Sequence, residues 1–74
     1  MEPRDVVLIE SLLSANPELR RLWEEHQRLE RELEALRDRR HPTPEEEARE
    51  QEIRKLKLVG RDRIEEILRE HRRS

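Results

Sequence analysis

Leucine recurs at positions 19, 22, 29, 33 and 36, with His26 completing the spacing, so the steps run three, four, three, four, three. Only a helix returns residues at that spacing to one side, and the alternation is the a/d pattern of a coiled-coil seam. Such a seam is one half of an interface. A second stripe follows after one short turn: Ile53, Leu56, Gly60, Ile64, Ile67 and His71. Its steps are three, four, four, three, four, so the strict heptad slips near Gly60. A connection this short makes the two helices antiparallel neighbours. The predicted architecture is therefore all-α, an antiparallel helical hairpin.

The helix starts are written in local chemistry. Asn16 is placed to cap a helix that begins with Pro17 at its first position and Glu18 in its first turn, where the helix dipole favours an acid. Thr43, Pro44, Glu45 and Glu46 read as N-cap, N1, N2 and N3, with Thr43 and Glu46 forming a capping box. These signals predict helix two over 17–39 and helix three over 44–71. Ahead of them, Val6, Val7, Leu8, Ile9, Leu12 and Leu13 predict a short amphipathic helix over 5–15, with Asp5 as its cap. A helix this short is not stable alone. It forms only if it docks, on its own hairpin or on another subunit.

Folding the chain about the turn pairs positions whose numbers sum to roughly 83. Leu29 then lies near Ile53, Leu22 and Trp23 near Gly60, and Leu19 near Ile64. The expected hairpin core is Leu22, Trp23, His26, Leu29, Leu33, Ile53, Leu56, Gly60, Ile64 and Ile67. The only glycine would stand opposite the only tryptophan, making room for the indole. Leu58 projects off this face at about 100° per residue. It is either a partly exposed leucine or part of a second contact surface, for which Val7, Leu8, Leu12 and Leu58 are the candidates.

Composition decides what such a chain needs. Of 74 residues, 49% are charged and 31% hydrophobic, which permits one domain, 1–74, with a small core. With no cysteine, disulfides and thiolate metal sites are excluded. Association with a second copy or another protein becomes the way to bury more apolar surface, and a homodimer is expected. Disorder is set aside because the 17 basic and 19 acidic residues are mixed in sign and interleaved with the periodic stripes. A net charge of −2 gives no long-range field for nucleic acid or anionic membranes. The longest apolar run, Val6-Val7-Leu8-Ile9, is too short for a membrane span or a signal-peptide core. A cytoplasmic location is expected.

Catalytic chemistry finds no support: there is no glycine-rich phosphate loop, no cysteine, and no histidine at a suggestive spacing from Ser11 or Ser14. No catalytic, cofactor-binding or metal-ligating residue is assigned, no cofactor is expected, and no small-molecule substrate is. His26, His41 and His71 fall at the middle, the turn and the far end of the hairpin and cannot share one metal. His26 has two readings, a ligand or pH-sensitive contact, or a ring packed in the core with one nitrogen bonded to a nearby acid or carbonyl; the second is preferred. Two basic runs, Arg37, Arg39, Arg40 and His41 at the turn and Arg69, His71, Arg72 and Arg73 at the end, could contact phosphates. They also sit where the helix dipole favours cations.

One resemblance extends this reading. Asn16-Pro17, then Leu22-Trp23-x-x-His26-x-x-Leu29-Glu30-x-x-Leu33, and later Ile53-Arg54-Lys55-x-Lys57-Leu58-x-x-Arg61-Asp62-x-Ile64, resemble the YdcH-like family of small bacterial proteins, whose domain has no assigned function. The likeness covers roughly residues 15–70. His26, Leu29, Lys57, Leu58 and Asp62 fall on family positions, whereas Glu30 replaces the usual Asp, Trp23 the usual Phe and Gly60 the usual Leu. The resemblance implies a self-associating helical hairpin in a bacterial cytoplasm and no particular activity. The functional expectation is a non-catalytic protein–protein interaction or self-assembly module. The alternative is a nucleic-acid-associated protein using its basic helix ends.

Overall fold

The computed structural model describes residues 1–73, in three helices: α1 (Pro3–Leu12), α2 (Pro17–Arg37) and α3 (Pro44–Arg73). There is no strand among the described residues. Each helix begins on a proline whose missing N–H costs nothing at that position. The two long helices carry the caps expected of them. The Leu19 N–H donates to Asn16 Oδ1 at 3.0 Å. At α3 the Glu46 N–H donates to Thr43 Oγ1 at 3.1 Å, and the Thr43 N–H donates back to Glu46 Oε1 at 2.9 Å. This reciprocal pair satisfies two backbone donors that a helix start otherwise leaves orphaned. The Thr43 N–H bond also holds the Glu46 carboxyl below its ordinary value.

The start of α1 differs from the sequence expectation. Glu2 occupies the cap position, without a side-chain cap bond, and Pro3 opens the helix. Asp5 lies inside the first turn and accepts instead from Arg72 of α3 at 2.7 Å. Proline explains the shift, because its fixed φ pre-forms the first turn two residues before Asp5. α1 also stops at Leu12, and the carbonyl of Leu12 takes the Ala15 and Asn16 N–H groups as the chain turns towards α2.

α2 and α3 pack against each other, and the ion pairs between them fix direction and register. Glu18 meets Arg63, Glu32 meets Arg49 and Glu30 meets Lys57, residue numbers that add to 81, 81 and 87. Only antiparallel helices give a near-constant sum. The core lies in two clusters along this seam. Nearer the turn, Leu29, Leu33 and Ile53 are buried, with Leu36 packed against them. At the open end, Leu19, Ile64, Ile67 and Leu68 are buried together with Ile9 of α1. The short first helix thus docks on its own hairpin, closing the end that no loop closes. Leu8, Leu12, Leu13, Leu22 and Trp23 pack around that cluster. The result is a rod of 48 × 20 × 17 Å.

Two members of the expected core sit elsewhere. Leu56 is 43% exposed, and Lys57 takes the more inward position beside it. The slip in the stripe near Gly60 is the cause: from Ile53, steps of four, three and four run through Lys57 and Gly60 to Ile64, and this even spacing leaves Leu56 off the face. Gly60 is not matched to Trp23. A Cβ at position 60 would meet nothing within 4 Å, and the indole packs on the α1 cluster and stacks on His26. Gly60 therefore has the backbone cost of a helical glycine with no steric role in the folded chain. Gly60→Ala should raise stability by about 1 kcal/mol, seen as a rise of several degrees in the thermal midpoint; a fall would show a close neighbour at this position.

Candidate interaction surface

The side chains that cross between α2 and α3 form a charge ladder around the apolar seam. Arg63 donates through Nε and Nη2 to both carboxylate oxygens of Glu18, at 2.9 and 2.8 Å. Arg49 grips Glu32 in the same two-pronged way, at 2.5 and 2.9 Å. Lys57 donates to Glu30. Bidentate pairs have more directional strength than single contacts. Their partners hold the Glu18 and Glu32 carboxyls below the ordinary carboxylate range, and the Lys57 bond does the same for Glu30. Arg49 and Arg63 are correspondingly pushed up. These side chains are largely in water, so the ladder contributes direction and register more than stability.

His26 stands between the two core clusters. Its ring stacks on Trp23, with centroids 5.6 Å apart and planes 14° from parallel. The packed ring matches one half of the preferred sequence reading; the bond to an acid or carbonyl does not appear. Nδ1 is buried without a hydrogen-bond partner. Lys57, the nearby cation, is committed to Glu30. Desolvation in the seam holds the imidazole below its usual 6.5, with the cations of Lys57 and Arg61 adding to it and Glu30 opposing. Among the described residues no cluster of three histidine, cysteine or acidic side chains could hold a metal.

The four candidate contact residues separate into two kinds. Leu8 and Leu12 of α1 pack inward against the core cluster. Val7 is 69% exposed and Leu58 59% exposed. Leu56, expected in the core, and Val59 are exposed as well, Val59 to 69%. So α3 carries three exposed apolar residues within one turn. Leu58 lies on a groove of about 300 Å³ together with Met1, His26 and Leu33. Leu56 lies on a separate, narrow crevice of about 30 Å³ with Leu22, Glu25, Leu29 and Gly60. The feature missed in the sequence was Leu56; the heptad slip was the available signal.

The two basic runs lie at opposite ends of α2–α3. At the turn Arg39 meets Glu46 at 3.3 Å, and at the far end Arg72 meets Asp5 at 2.7 Å. One cation of each run is thus engaged by an acid. No helix of the described residues is long and apolar enough to cross a membrane. No family model, curated protein or solved structure matches the chain.

His26 gives a test with a defined sign. Its folded pKa is lowered, so the unfolded chain binds the extra proton first, and stability is full above pH 6.5 and falls as pH drops below it. The glutamates Glu18, Glu30 and Glu32 are lowered too, so their contribution is present above 4.5 and is lost below. His26→Leu removes a buried unpaired nitrogen, a group that costs on the order of 1–3 kcal/mol. The variant should be more stable by about 1 kcal/mol at neutral pH. In urea titrations across pH, its decline between 6.5 and 4.5 should flatten while the loss below 4.5 remains. An unchanged slope between those values would show that His26 is not the titrating group.

Proposed function

We propose that this chain is a non-catalytic helical module for protein–protein contact, and that its first partner is another copy of itself. The carrying observation is the group of exposed apolar residues on α3, Leu56, Leu58 and Val59, which lie outside the buried seam of that helix. Its surface agrees with that reading. The accessible area is 5817 Å². A compact monomer of 9.1 kDa has about 4900 Å². The excess of roughly 900 Å² comes with the rod's 48 × 20 × 17 Å shape, which leaves its long sides open to a partner.

The likeness of residues 15–70 to the YdcH-like pattern supports the same role, a self-associating hairpin of the bacterial cytoplasm. The alternative use of the basic helix ends on nucleic acid has less to work with, because Arg39 and Arg72 are already engaged by acids.

Sedimentation velocity over a hundredfold concentration range separates these readings. The expected result is a species of twice the 9.1 kDa chain, growing with concentration into the micromolar range. A monomer throughout would overturn self-assembly. Salt-sensitive binding to random-sequence DNA or RNA would favour the nucleic-acid reading, since its phosphate contacts weaken steeply with ionic strength.

A further inference from the structure

The charge ladder has a missing rung. Glu18, Glu25 and Glu32 are spaced one heptad apart on α2. Opposite them, at the same spacing on α3, stand Arg63, Leu56 and Arg49. The outer two rungs are the bidentate pairs described above. The middle rung sets a glutamate beside a leucine, and both line the narrow crevice. Glu25 turns along its own helix to Arg28 at 2.5 Å. An arginine at 56 would complete the row. The chain instead exposes Leu56 there, with Val59 one turn on and half-buried Leu22 beside it. This crevice is lined wholly by α2 and α3, whereas the groove under Leu58 is shared with Met1.

We propose that a second copy of this chain covers the Leu56–Val59 patch, with the two α3 helices crossing antiparallel and Val59 close to the two-fold axis. This rests on the self-assembly reading above and names its surface. The charges around the patch select the occupant. Lys55 stands four residues before Val59, and Asp62 and Glu66 stand three and seven after it, all on one flank of α3. On an antiparallel copy the position that meets Lys55 is about 63, between Asp62 and Glu66. The two-fold axis repeats the match on the other side. A parallel copy would set Lys55 against Lys55 and Asp62 against Asp62, which is repulsive. Among the described residues Lys55 and Asp62 have no ion-pair partner in their own chain, so both are available. Glu52 and Glu66, which approach each other in this arrangement, are already held by Arg49 and Arg63 at 2.6 and 3.3 Å.

Two variants test the surface without disturbing the fold. Leu56→Arg supplies the missing rung to Glu25, so helicity and thermal midpoint should be kept, while self-association measured by sedimentation should weaken at least tenfold. Val59→Cys is the second, made in a chain that has no other cysteine. Under mild oxidation it should form a covalent dimer at least tenfold faster than Leu58→Cys, because only cysteines near the two-fold axis bring their Cα atoms within disulfide range. If the parent chain dimerises, but Leu56→Arg dimerises equally well and Val59→Cys links no faster than Leu58→Cys, the interface lies elsewhere and this proposal is overturned while self-assembly stands. A parent chain that stays monomeric at every concentration overturns both.

Discussion

Everything in this molecule depends on one apolar seam being narrow and in register. Two clusters, Leu29, Leu33 and Ile53 near the turn and Leu19, Ile64, Ile67 and Leu68 near the open end, supply nearly all of the deep burial. In a chain with 49% charged residues there is no second core to fall back on. Truncating any of these side chains to alanine removes a buried group worth on the order of 2–5 kcal/mol, a large part of a small domain's stability. The charged rows on either side do a different job. They make a slipped register place glutamate against glutamate or leave arginines without partners.

α1 belongs to the same logic. It is too short to hold itself helical. Its stability comes from placing Ile9 against Leu19, Ile64, Ile67 and Leu68, and from the Asp5–Arg72 contact. The hairpin gains in return, since Ile64 and Leu68 at the open end would otherwise meet water. The open end of the α2–α3 pair is thus capped internally. Mid-span keeps an exposed leucine and valine, Leu56 and Val59, and that uncovered stretch is what makes a simple hairpin a candidate for assembly.

The hairpin was legible because its signals are local and redundant. Proline with Asn16 and proline with Thr43 mark the helix starts independently of the stripes, and summing positions about the turn recovers the register of the Glu18–Arg63 and Glu32–Arg49 pairs to within two residues. What was not legible depended on rotation about the α3 axis. A slip of one residue in the stripe moves a side chain by about 100°, enough to exchange Leu56 for Lys57 as the inward residue. Lys57 can face inward because Glu30 receives its ammonium across the seam, an interaction between residues far apart in sequence. The pairing of Trp23 with Gly60 was plausible by index alone and failed for the same reason: matching height along two helices does not establish matching direction. The docking of α1, which the sequence left open, is decided by Ile9, whose burial requires surfaces from both long helices.

The register of the ladder, with Glu25 level with Leu56 and arginines only on the rungs beside them, is the claim from which the exposed patch follows. Intramolecular disulfide formation tests it directly. In dilute, monomeric samples, Glu25→Cys combined with Leu56→Cys should close an internal disulfide readily, whereas Glu18→Cys combined with Leu56→Cys, a heptad or about 10 Å out of step, should not. Closure of the second pair in preference to the first would contradict the register, and with it the account of why Leu56 faces solvent.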